Sequence, residues 1–229
     1  KPDDLLGLFI QMTTEQAREK NIAIATGTST GDEMLGVIVK EINSQCLGYK
    51  KEKLLEASLV LRDVINYLIN AMRGSKREFP FLFENNAKEV QLQDSMMVYL
   101  KASDRSAKYI PEVKDFADGG RVDIVFKSEL LELPIELKRS FDTVTWEKVK
   151  SDYIAQAQTY ANTRDQLAIF ITMDLSTQTN NKPETGIRNL FKVFSLQGRQ
   201  EVGISYPDYV IAFVLPGNKL LPSQRANYS

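Results

Sequence analysis

Two short runs of alternating side chains constrain this chain more than any other feature: Gly120-Arg121-Val122-Asp123-Ile124-Val125-Phe126 and Leu133-Pro134-Ile135-Glu136-Leu137-Lys138. Side chains on a strand point to opposite faces in turn, so Val122, Ile124 and Phe126 share a face with Leu133, Ile135 and Leu137. Asp123, Glu136 and Lys138 take the other face. With the turn centred between Glu129 and Leu130, the antiparallel register sets Asp123 opposite Glu136, with Cβ atoms roughly 5 Å apart.

Two carboxylates so placed repel each other unless they share a proton or a divalent ion sits between their oxygens. Hard cations such as Mg²⁺ take carboxylate and carbonyl oxygens plus several waters, one of which can become a nucleophile toward a phosphodiester. An ammonium at Lys138 would orient that water or offset charge developing on the phosphate. The plain alternative is a hairpin with a solvated charged face. Glu-x-Lys by itself carries little, since Glu112-Val113-Lys114 also matches without an Asp before it on a convincing paired strand. It is the combination of Gly-Gly-Arg-x-Asp, an apolar strand and Glu-x-Lys that points to chemistry.

A helix expected over 146–161 follows, with Trp146, Val149, Tyr153 and Ala157 as its apolar stripe. Gln156 and Tyr160 lie on a neighbouring face. These residues together resemble the PD-(D/E)xK, or restriction-endonuclease-like, nuclease superfamily, and Gln-x-x-x-Tyr is similar to the fourth motif of its RecB and lambda-exonuclease branch. Val122-Asp123 stands where the superfamily name has Pro-Asp. The resemblance covers 87–173. It implies an α/β fold: a restriction-endonuclease-like core with a mixed central β-sheet flanked by helices, here carrying an all-helical N-terminal extension.

The resemblance further implies Mg²⁺ or Mn²⁺ held by Asp123, Glu136 and the Leu137 carbonyl, with Asp123, Glu136 and Lys138 catalytic. An acidic residue from the preceding helix completes the ion's shell, and Glu89, one turn from Gln93, is the candidate, with Asp94 its rival. Gln156 and Tyr160 would hold the substrate strand. Glu89 also has a plain reading, since an acid is favoured at a helix N-terminus.

The chain contains no histidine, which removes His-metal nucleases, Ser-His-Asp hydrolases and Cys-His proteases. One cysteine, Cys46, leaves no intramolecular disulfide and no cysteine-based zinc site, and suits a reducing compartment. No apolar stretch spans a membrane and no secretory leader is evident, so a soluble cytoplasmic protein is expected. The start Lys1-Pro2-Asp3-Asp4, without methionine, is consistent with a piece of a longer protein. A net charge of −1 supplies no general attraction for nucleic acid. A local patch of Arg121, Lys138, Arg139, Lys148 and Lys150 would have to provide it, unless these are only a solvated face.

Residues 1–75 read as a helical region for recognising a partner or substrate, with helices over 4–20, 32–45 and 51–72 and Gly74 as the stop of the third. The turn around 22–31 lacks the endings of phosphate-binding loops and reads as a helix connection. Residues 76–229 read as the nuclease core, with a helix over 87–102, strands over 109–114, 166–173, 191–196 and 209–215, and a surface loop over 176–185.

The expectation is a metal-dependent deoxyribonuclease acting on DNA rather than RNA, most simply an endonuclease serving defence, restriction or repair. An exonuclease, a non-cleaving nucleic-acid-binding scaffold of the same fold, and a retaining glycosidase built on paired carboxylates are the alternatives. A homo-oligomer or an additional protein subunit is compatible with the helical extension.

Overall fold

Helical periodicity organises the first part of the chain. The computed structural model describes residues 24–46, 48–49, 51–116, 120–154, 156–157, 165–176, 187–196, 200–201, 204–205 and 208–221. These fall into two compact units, Lys1–Ile69 and Asn70–Ser229. In the first, α1 (Ser29–Gln45) buries Met34, Leu35, Ile38, Val39 and Ile42, spaced three and four apart along one face. Thr28 caps it, its hydroxyl accepting the Gly31 N–H at 3.1 Å. Both the N–H and the hydroxyl of Thr26 donate to Asp32 Oδ1, at 2.6 and 2.8 Å. The turn is thus tied to the helix that follows it. The expected helix over 4–20 lies outside the described residues.

α2 (Lys51–Arg73) buries Leu54, Ala57, Leu61, Val64, Ile65 and Leu68. It ends where the sequence places the stop, just before Gly74, a position where the Phe79 ring leaves no room for a Cβ. Residues 70–73 belong to the second unit. There Lys219 Nζ donates to the carbonyls of Ala71, Met72 and Gly74 at 3.2, 2.9 and 3.1 Å, satisfying acceptors that a helix end leaves open.

The second unit is built on a mixed six-stranded sheet. Its strands are β1 (Tyr109–Phe116), β2 (Gly120–Lys127), β3 (Glu132–Ser140), β4 (Leu167–Asp174), β5 (Phe191–Leu196) and β8 (Asp208–Pro216), in the order β1-β2-β3-β4-β8-β5. A separate two-stranded sheet pairs β6 (Gln200–Glu201) with β7 (Ile204–Ser205). β3, β4 and β8 run parallel, and the outer pairings are antiparallel. The fold is therefore α/β, a mixed sheet flanked by helices and preceded by a helical part.

β4 is buried along its whole length, as its unbroken apolar run suggests for a central parallel strand. Its register with β3 pairs Glu136 with Phe170, Lys138 with Thr172 and Ser140 with Asp174. One sheet face therefore carries Glu136, Lys138, Ser140, Phe170 and Thr172. The chain after β3 covers that face: Val149, Ile154 and Ala157 are buried with Ala168, Phe170, Phe194, Val210 and Ala212, and Trp146 and Tyr153 pack beside them. This is the expected stripe. The helix differs in kind, however, with α4 (Trp146–Lys148) running into a π-helical turn, Val149–Tyr153. The Tyr153 ring stacks on Phe170, centroids 6.0 Å apart. Phe170→Ala is expected to cost about 3–5 kcal/mol, because the relaxed core cannot refill the ring's volume; the urea midpoint reads it, and an unchanged midpoint would place Phe170 outside the core.

α3 (Glu89–Lys101) packs against β1 and β3 through Leu92, Met96, Met97 and Leu100. Val90, on the same helix, is 47% exposed. Among the described residues no helix is long and apolar enough to cross a membrane.

Candidate active site

The hairpin forms in the anticipated register, from Lys127↔Glu132 to Ile124↔Ile135, but its ladder stops one residue short of Asp123 and Glu136. Beyond that point a side chain replaces a backbone partner: Asp123 Oδ2 accepts the Leu137 N–H at 2.8 Å. The N–H and C=O of a strand residue point to the same side, so the Leu137 carbonyl also opens toward Asp123. Two carboxylates and a carbonyl thus gather where the strands part.

Glu136 is 2% exposed; Lys138 Nζ meets its Oε1 at 2.8 Å, and its Oε2 is buried without a hydrogen-bond partner. Burial, then the Asp123 charge and the more distant Glu89, push its carboxyl up to about 7 in spite of the ammonium. Asp123 is also raised, by burial first, with the Leu137 N–H and Lys138 acting in the other direction. For Lys138, burial favours the neutral amine, but the bond to Glu136 and the surrounding carboxylates outweigh it and the pKa rises. At neutral pH it is a fixed ammonium, so its role is to donate hydrogen bonds and charge.

Glu89, in the first turn of α3, reaches this group: its Oε1 accepts the Arg139 N–H at 3.1 Å, and its charge acts on Asp123, Glu136 and Lys138. Asp94 is exposed on the same helix. Gln93 holds the strand behind the site, its Nε2 donating to the Asp123 carbonyl at 2.8 Å. The spacing of Glu89 and Gln93 showed that they share a face, but not that Gln93 grips Asp123.

Arg139 turns from the group, donating to the Ala87 carbonyl at 3.0 Å with its guanidinium 5.0 Å from the Phe141 ring centre. Arg121 is exposed, 3.9 Å from Glu112. Gln156 is helical and half-buried after the π-turn, and Tyr160 lies outside the described residues. Lys148 pairs with Asp142 at 2.6 Å, and Lys150 is exposed.

A divalent cation would remove the conflict between Asp123 and Glu136 and engage the orphaned Oε2. Among the described residues no three His, Cys, Asp or Glu side chains converge into a ready metal cage. A cation here would draw on two carboxylates, the Leu137 carbonyl and water, a set that suits Mg²⁺.

The strain has a pH signature. The folded protein holds the Glu136 proton more tightly than the unfolded chain, whose Glu titrates at about 4.3. Between about 4.3 and the folded value of about 7 the folded state binds more protons. In chelator, stability is therefore expected to fall as pH rises through that window, by up to about 3 kcal/mol from this group. Urea unfolding of wild type against Glu136→Gln isolates it; a difference independent of pH would contradict it.

No protein-family model, curated protein or solved structure matches this chain.

Proposed function

We propose that this is a metal-dependent nuclease with a restriction-endonuclease-like core, acting on DNA and most simply as an endonuclease. The observation that carries the reading is the buried, unpartnered Glu136 Oε2 beside Asp123, with Lys138 at 2.8 Å from the other oxygen of the same carboxylate. Repelling carboxylates beside an ammonium disfavour a resting fold and suit a site whose ligand carries two positive charges.

Asp123, Glu136 and the Leu137 carbonyl would hold the ion, and Glu89 would complete its surroundings directly or through water. When bound, a hard divalent ion polarises a phosphate and makes a water acidic enough to attack it. Lys138 orients that water and offsets charge on the phosphate, as a permanent donor. The Asp123 carboxylate bridges to the Leu137 N–H of β3, and Gln93 anchors the Asp123 carbonyl from α3. Gln156 and Tyr160, with basic groups around the site, hold the strand in line.

A second reading has its own support. The Lys138–Glu136 ion pair, which already occupies one oxygen of that carboxylate, favours a non-cleaving module of the same fold that only binds nucleic acid.

The deciding experiment incubates the purified protein and its Asp123→Ala variant with circular DNA, end-labelled linear DNA and RNA, in Mg²⁺, Mn²⁺ or excess chelator. Nicking of circles by wild type alone, lost on chelation, is the expected result. Loss of linear DNA only would make it an exonuclease. Binding without cleavage under every condition would favour the second reading.

A further inference from the structure

The π-helical turn Val149–Tyr153 brings a tyrosine to the face that carries Glu136 and Lys138, stacked on Phe170, the register partner of Glu136. Its hydroxyl reaches Ser140, which lies two residues beyond Lys138 on β3 and so roughly 7 Å along the strand. The contact is poor. Tyr153 donates to Ser140 Oγ at 3.4 Å, whereas O–H···O bonds settle at about 2.7–2.8 Å. Ser140, 3% exposed, meanwhile commits its own proton to the Asp142 carbonyl at 2.9 Å. The phenol proton is therefore held where a stronger acceptor would readily take it.

Lys148 lies five residues before Tyr153, one i→i+5 turn earlier along the same stretch of chain. Its partner Asp142 is 80% exposed, and an ion pair so open to solvent gains little, so an arriving anion can replace it. Asp142 would repel that anion only until it turns outward to water.

We infer that Tyr153 and Lys148 bind a backbone phosphate of the nucleic acid, the one next to the phosphate at Lys138, with Ser140 as the resting acceptor for the tyrosine. The inference rests on the nuclease reading for its substrate, and it adds a phosphate subsite that the Gln-x-x-x-Tyr pattern does not include. A phenol donating to a phosphate oxygen makes a charge-assisted bond, about twice as strong as a neutral one. The contact is uniform along the reaction, so it affects KM rather than kcat.

The test is fluorescence anisotropy in chelator with a short labelled DNA, single-stranded and duplex, bearing a neutral methylphosphonate at one backbone position at a time. Tyr153→Phe keeps the ring on Phe170 and is expected to fold as wild type does while binding about tenfold more weakly. Lys148→Gln should weaken binding and flatten its salt dependence. At one position the methylphosphonate should weaken wild type by about tenfold or more and Tyr153→Phe by clearly less, since only the Lys148 contact is left to lose there. Equal affinity of Tyr153→Phe and wild type, additive losses at every position, or no binding by wild type would overturn the inference. The predicted coupling in a protein that cleaves nothing in Mg²⁺ or Mn²⁺ would support the subsite and defeat the nuclease reading. In a cleaving protein, Tyr153→Phe should raise KM with kcat within about twofold.

Discussion

Lys138→Ala is expected to lower turnover by about 10³-fold, because the ammonium that would meet charge developing on the phosphate is lost from a half-buried position. Its effect on metal binding should be smaller and pH-dependent. Lys138 is among the groups that lower the Glu136 pKa, so without it the carboxyl keeps its proton to higher pH and competes with the ion. Affinity for Mg²⁺, measured by calorimetry, should fall at pH 7 and recover toward pH 8.5, while turnover recovers at neither. A purified Lys138→Ala protein that cleaves like wild type would end the catalytic assignment. One that fails to bind Mg²⁺ at any pH would make Lys138 a structural partner of Glu136.

Glu136→Gln should separate function from stability. The amide keeps the side chain's volume and removes a charge whose proton is held up to about 7, so the folded protein in chelator at pH 7.5 should gain about 2 kcal/mol. The gain should shrink toward pH 5, where wild type is also protonated. Mg²⁺ binding and cleavage should both disappear. Function retained at a cost in stability is the pattern of an active site. A variant less stable than wild type at pH 7.5 would mean that the pair with Lys138 outweighs the cost of burying the charge, and that no ion is needed to relieve it.

Mg²⁺ should likewise stabilise wild type more at pH 7.5 than at pH 5, since the ion competes with the Glu136 proton.

The centre of the site was legible because it is local. Asp123, Glu136 and Lys138 sit in runs where a period of two assigns faces unaided, and the hairpin register followed from a turn only a few residues long. The stripe of Trp146, Val149, Tyr153 and Ala157 was readable for a similar reason, because three- and four-residue spacing keeps one face of a helix even through a wider turn. Gly74 marked the end of α2, although it is the closeness of Phe79 rather than a left-handed backbone that calls for glycine there.

What remained hidden depends on contacts between residues far apart in sequence. That Asp123 would take the Leu137 N–H required the ladder to end at Ile124↔Ile135, which alternation cannot show. Gln93 gripping the Asp123 carbonyl and Arg139 turning to Ala87 both follow from how α3 packs on the sheet. The position of β8 between β4 and β5 is likewise a matter of pairing, not of pattern. Periodicity says which face of an element is apolar; only the packed sheet decides what that face meets. That is why the three charged residues could be named from the sequence, while the orphaned oxygen of Glu136 and the half-used hydroxyl of Tyr153 emerged only once strands and helices were in place.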